Sequence, residues 1–178
     1  MRYAPTPEQE EFGRTIRAFL QQRVPESKLL DQLARPDRFD STLWKDLAGQ
    51  LELPGLAVPE SYGGSGFGAV ELGVTLEEFG RALTPVPYFA TAVLALPLIV
   101  GADASGVAAN LVRELAAGRS IGAAALAEPG QGAGATPATT ADGDLLSGHK
   151  TLVVDGDLAD VLVVSAQVGG VPGLFCVR

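Results

Sequence analysis

The chain has 178 residues, 47% of them hydrophobic and 19% charged, which is room for one large domain or two small ones and enough apolar material to bury a core. Thirteen Lys and Arg against 21 Asp and Glu give a formal charge of −8, and no basic run exceeds a pair, so neither a nucleic-acid surface nor an anionic membrane is an expected partner. One cysteine, Cys176, and one histidine, His149, exclude an internal disulfide and a zinc-ligand spacing; with His149 in a glycine-flanked turn and no G-x-S-x-G elbow in the sequence, a Ser-His-Asp triad is not expected.

The start, MRYAPTPEQEEF, is polar and acidic rather than basic and then apolar; it does not read as a signal peptide, and a cytoplasmic location is expected. Thr6-Pro7-Glu8-Gln9 is a helix-start signal, with a hydroxyl cap, proline in the first turn and Gln at the capping-box position. The helix it opens runs to about Arg23, and Phe12, Ile16, Phe19 and Leu20 form its apolar stripe. Leu29, Leu30 and Leu33 predict a short second helix. Asp40 or Ser41 caps a third, carrying Leu43, Trp44, Leu47 and Leu51. Three amphipathic helices in succession imply a bundle.

A glycine-rich loop over 58–68, VPESYGGSGFG, follows. It lacks the Lys-Ser/Thr of a phosphate-binding loop and reads as a rigid connector. Helices then resume: 70–83 with Leu72, Leu76, Phe79 and Leu83 inward, 87–101 apolar almost all round, and 107–117 amphipathic before Gly118. The apolar run from Ala82 to Ala102 is broken by Pro85, Pro87 and Pro97. A helix over 87–101 reaches only roughly 22 Å, short of a ~30 Å hydrocarbon core, so it reads as a buried core helix.

After Arg119 the period changes. Short apolar or β-branched runs at 121–127, 144–147, 151–154, 161–165 and 174–177 are separated by Gly, Asp and Pro. The fold class expected is therefore α+β: an all-α helical bundle over 1–118, then an incomplete antiparallel β domain over 119–178. Five short strands leave edges uncovered, so a further segment or a partner is expected to complete them.

Three features carry candidate chemistry. Gly130-Gln131-Gly132-Ala133-Gly134-Ala135 follows a strand, but the β-branched, proline-broken Thr136-Pro137-Ala138-Thr139-Thr140 supplies no helix N-terminus for a pyrophosphate. Glu77 and Arg81 are an i,i+4 pair on a helix face beside Glu78, which reads as a solvated ion pair. Glu128, the sole acid between Glu114 and Asp142, lies at a strand end before Pro129 and is either a turn-capping carboxylate or a site group.

Taken together, Leu56-Ala57-Val58-Pro59-Glu60-Ser61-Tyr62-Gly63-Gly64-Ser65-Gly66, Leu76-Glu77-Glu78-Phe79-Gly80-Arg81-Ala82 and Pro85-Val86-Pro87 resemble the V-P-E-x-Y-G-G-x-G loop and E-E-x-G-R-A helix of the acyl-CoA dehydrogenase family. Leu126-Ala127-Glu128-Pro129, Gly148-His149-Lys150 and Ala159-Asp160 follow in the family's order, so the likeness spans nearly the whole chain. It implies FAD and an acyl-CoA thioester as ligands and α,β-desaturation as the reaction. It also implies subunits joined in homo- or hetero-oligomers, and an electron-transfer flavoprotein as redox partner. The family's catalytic glutamate lies in a C-terminal helical domain. No catalytic residue is therefore assigned here, and the 178 residues alone are expected to be inactive.

By the same resemblance, Leu126, Ala127, Glu128, Leu152, Val153 and Val154 occupy the flavin-binding positions, and Ala133, Tyr88, Thr91 and Leu94 the substrate-binding ones. The family's usual hydroxyls are replaced by Ala127, Ala133 and Val154, and an aromatic by Ala124. Each hydroxyl hydrogen bond lost at a flavin is worth ~1 kcal/mol net. Two other readings follow: a flavin-free structural partner of a catalytic homologue, and an acyl-binding helical module without redox function.

Overall fold

The computed structural model describes residues 5–25, 27, 39–102 and 104–178. The first helix, α1 (Pro7–Arg23), begins with the capping box expected of its sequence: Thr6 Oγ1 accepts from the Gln9 amide at 3.3 Å, and Gln9 Oε1 accepts from the Thr6 amide at 2.9 Å. Asp40 caps α2 (Ser41–Leu51) by accepting from the amides of Thr42 and Leu43. In α3 (Ala69–Ala82), Glu71 reaches back to the Gly68 amide at 3.0 Å. Its other carboxylate oxygen accepts from Gln9 Nε2 at 2.8 Å, which ties the starts of α1 and α3 together. The short helix expected around Leu29, Leu30 and Leu33 lies outside the described residues.

Two helical expectations are corrected. Leu83 does not face inward; it ends α3 in the left-handed region at φ 50° and stands exposed. The apolar segment after Pro87 is not one regular helix, for residues Phe89–Ala95 form a π-helix that passes into α4 (Leu96–Gly101). The amide of Leu96 donates to Thr91, five residues back. This wide turn stands immediately before Pro97, whose ring cannot accept a tightly wound preceding turn. The last helix, α5, is Gly106–Ala116.

Two apolar clusters result. In one, Ile16, Leu20, Leu43, Trp44, Leu47, Leu53, Phe79 and Tyr88 fill the interior between α1, α2 and α3, each fully buried aliphatic contributing roughly 2 kcal/mol. In the other, Leu96, Ile99, Leu111, Val112 and Leu115 pack with Val58 against Val161 and Val163 of the sheet. The glycine loop is folded back on the segment before it: the amides of Ser65, Gly66 and Phe67 donate to Gly55, Val58 and Leu56. A Cβ on Gly64 would lie 2.2 Å from the Val58 carbonyl oxygen, so only glycine fits there.

The strands are β1 (Gly122–Ala125), β2 (Thr140–Asp142), β3 (Leu145–Ser147), β4 (Val161–Val168) and β5 (Val171–Val177). The sheet is mixed, not antiparallel. β1 runs parallel to β4 with Ala123 opposite Leu162, β2 meets β4 in parallel at Thr140 and Gln167, and only β2–β3 and β4–β5 are antiparallel. The connection from β1 to β4 carries the β2–β3 hairpin and returns the chain in the original direction. The run 151–154 is not a strand: Leu152 and Asp155 take left-handed backbone angles, φ 54° and 51°, and break any ladder. β2, which the sequence pattern did not mark, takes its place in the sheet. Among the described residues no helix is long and apolar enough to cross a membrane.

Candidate functional site

β1 ends at Ala125, and the chain continues through Leu126, Ala127 and Glu128 beyond the ladder. Glu128 is buried, and every bond its carboxylate makes joins a different part of the chain. Oε1 accepts from Lys150 Nζ at 2.7 Å, from the Thr139 amide at 2.9 Å and from Thr139 Oγ1 at 2.6 Å; Oε2 accepts from the Ala138 amide at 2.7 Å. The Lys150 ammonium first, then the Thr139 donors, hold this carboxyl at about 2, far below its usual range. Both carboxylate oxygens of Glu128 are thus engaged by donors of this chain.

Lys150 completes the arrangement. Its ammonium also donates to the Leu126 carbonyl at 3.3 Å and to Ser165 Oγ of β4 at 3.0 Å, while the Thr151 amide donates to the Ala127 carbonyl at 2.9 Å. Residues 126–128 and 150–151, separated by a hairpin in sequence, are thus bonded to each other, and residues 152–154 follow directly. Leu152 is 90% exposed and Val154 43%, with Val153 half-buried between them. Gly148 permits the approach, because a Cβ there would sit 2.2 Å from Thr139 Oγ1.

The four substrate-position residues are not gathered in the same way. Ala133 is exposed on the loop between β1 and β2. Tyr88 is buried edge-on against Phe79, ring centroids 4.8 Å apart, and its hydroxyl lacks a hydrogen-bonded partner although Thr75 faces it; burial raises its pKa. The Thr91 hydroxyl is wholly committed to β1, donating to the Gly122 carbonyl and accepting from its amide, both at 3.1 Å. Leu94 is half-buried. Thr91 therefore supports β1, while Tyr88 packs in the helical core against α3.

A sequence model described as "Acyl-CoA dehydrogenase, N-terminal domain" matches residues 6–119. The chain belongs to the acyl-CoA dehydrogenase family. Mitochondrial isovaleryl-CoA dehydrogenase of Bos taurus is 32% identical over 170 residues, covering 90% of this chain and 39% of its own. Among solved structures, the Tcur3481-Tcur3483 steroid ACAD superposes with a TM-score of 0.82 at 36% identity, over 96% of this chain and 48% of that one. The ChsE4-ChsE5 complex of Mycobacterium tuberculosis gives 0.80 at 27% identity, over 100% and 49%. The chain spans less than half the length of each of these relatives.

For this acyl-CoA dehydrogenase family member, the E-E-x-G-R-A helix divides in two. Glu77 and Arg81 form the expected exposed pair at 2.8 Å. Glu78 is instead buried and held by two Arg17 contacts at 2.6 and 2.8 Å, with Arg81 Nε at 3.4 Å; Arg17 is the main cause of its lowered pKa. It fastens α3 to α1, a partner 61 residues away that spacing rules do not find. The partners of Glu128 were also missed, although one signal pointed there: Lys150 is the only Lys or Arg between Arg119 and Arg178, in a stretch where a buried acid needs a cation.

A flavin finds a partial match in this donor set. The paired segments present main chain and the apolar side chains of Leu152 and Val154, while Ala127 and Val154 bring no hydroxyl. Leu126, Ala127, Glu128, Leu152, Val153 and Val154 include no side-chain hydrogen-bond donor, so a flavin held here would depend on main chain and packing.

Proposed function

We propose that the chain is the N-terminal half of an FAD-dependent acyl-CoA dehydrogenase subunit that acts in the α,β-desaturation of an acyl-CoA thioester. The observation that supports this reading is the joining of residues 126–128 at the end of β1 to Lys150 and Thr151, which brings the following residues 152–154 to the same end of the sheet. In it, Leu126, Ala127, Glu128, Leu152, Val153 and Val154 form the edge that receives the cofactor. When bound, the flavin supplies the hydride acceptor. The chain's own part is to orient the ring, exclude water with the apolar pair Leu152 and Val154, and offer backbone polar groups. Ala133, which is exposed, and Leu94, which is half-buried, are the substrate-facing residues, while Thr91 fixes β1 and Tyr88 packs in the helical core. The base that takes the α-proton is expected in the family's C-terminal helical domain, and an electron-transfer flavoprotein is the redox partner.

A second reading is favoured by one observation, the absence of hydroxyls at Ala127 and Val154. In it the chain is the flavin-free subunit of a heteromeric dehydrogenase, paired with a homologue that retains them. That two similar solved proteins carry paired names supports this reading.

Titration of the full-length apoprotein with FAD, followed by flavin fluorescence, separates the two. The first reading expects binding, tightened roughly tenfold or more by Ala127→Thr with Val154→Thr, since each recovered hydrogen bond is worth ~1 kcal/mol. No binding by either protein assigns the chain to the structural-subunit reading.

A further inference from the structure

The loop after Lys150 has a feature that its sequence does not account for. Leu152 takes a left-handed backbone angle, which the Cβ of an L-residue other than Gly, Asn or Asp disfavours, and it turns its side chain into solvent. Asp155 repeats the left-handed angle three residues on. An unfavourable backbone of this kind persists only where its surroundings over-determine it.

The surroundings that fix it are few. Residues 151–154 belong to no strand; the loop is joined to the end of β1 through the Thr151 amide on the Ala127 carbonyl and the Lys150 ammonium on Leu126, Glu128 and Ser165. Glu128 in turn is gripped by Ala138 and Thr139, just before β2. The cluster meets the sheet only through β4, at Ser165, which pairs with Leu174 of β5, and at Gln167, whose amide donates to the Thr139 carbonyl; residues 150–154 themselves lie on no ladder, so the loop depends on the cluster for its place.

We propose that the buried Glu128–Lys150 pair is a positioning element: it clamps the 150–154 loop to the end of β1 and holds Leu152 in its left-handed, outward-facing conformation. Its meaning for cofactor binding rests on the reading of these segments as the flavin edge. The clamp itself is measurable without a cofactor.

Hydrogen exchange on the full-length protein as purified tests it, comparing wild type with Glu128→Gln, Lys150→Met and Lys150→Arg. Peptides covering 126–128 and 150–156 are expected to exchange at least tenfold faster in Glu128→Gln and Lys150→Met, with those of α1 and α2 unchanged. Lys150→Arg keeps a cation with several donors and is expected to restore most of the protection. Unaltered exchange in the loop overturns the proposal. So does an equal rise in α1 and α2, or failure of both Glu128→Gln and Lys150→Met to fold, since either makes the pair a general core element. A protein that shows the local pattern yet binds no FAD supports the clamp and removes the flavin reading alone.

Discussion

The two halves of the molecule bury their apolar side chains to different extents. In the helical half, Ile16, Leu20, Leu47 and Leu53 are at most 1% exposed, and the stripes of α1, α2 and α3 cover one another, Leu83 excepted. In the sheet half, Leu145, Leu152 and Val171 are 74%, 90% and 68% exposed. Burial is satisfied on one side of the sheet, where Val161 and Val163 meet the helices, and not at its far loops. Helices close their own backbone hydrogen bonds and need only one covered face, whereas a small sheet needs cover on its face, its edges and its loops. Apolar character alone therefore says little here about stability; placement decides it.

The largest expected effect tests that contrast directly. Leu47→Ala, at a fully buried position, is expected to cost about 3 kcal/mol and lower Tm by roughly 6–12 °C, while Leu152→Ala in the exposed loop stays within about 0.5 kcal/mol. Urea unfolding of both variants checks the pair, and equal losses would break the comparison.

Next is the joint between the halves. Gly118 has φ 65°, and a Cβ there would lie 2.5 Å from the Ala48 Cβ. Gly118→Ala is expected to cost about 2–3 kcal/mol from overpacking and backbone strain together, read from the same denaturation curves.

A smaller, pH-dependent effect belongs to the sheet half. Because the Glu128 carboxyl is held at about 2 against an ordinary 4.5, its contribution is complete above the ordinary value and is lost progressively as pH falls toward the lowered one. Urea midpoints of wild type and Glu128→Gln between about pH 5.5 and about pH 3 are expected to converge as the solution is acidified. A gap that stays constant would show that the carboxylate's charge is not what the cluster uses.

The smallest effect is at Leu152. Replacing it by glycine relieves the left-handed strain but adds unfolded-chain entropy, and these nearly cancel, leaving a change within about 1 kcal/mol of either sign. A larger loss would mean that its side chain is covered in the assembled protein.

What could be read from sequence follows the range of the interactions. The Thr6–Gln9 capping box, the Asp40 cap and the Glu77–Arg81 pair are contacts within one turn or two of a helix, and spacing rules found the first and last and narrowed the cap to Asp40 or Ser41. The family likeness was equally legible, since its loop and helix motifs are contiguous. The mixed sheet was not, because β1 and β4 pair across some forty intervening positions filled by a hairpin. The 151–154 run misled for a related reason: Thr, Leu and Val favour strands locally, but Lys150 bonds to Glu128 and turns the loop elsewhere. Likewise Glu78 looked no different from Glu77 until Arg17 was placed against it. The candidate site was legible as segments and not as a network.

Trp44 is the one tryptophan in these 178 residues. It is buried, and its indole N–H donates to the Gly118 carbonyl at 2.9 Å, across the joint where the helices hand over to β1. An indole in that setting emits at shorter wavelength than one in water, because little solvent can reorient around its excited dipole. Parting of α2 from the turn at Gly118 would break the hydrogen bond and admit water together, so the emission of a single native chromophore follows that joint by colour, with no label attached.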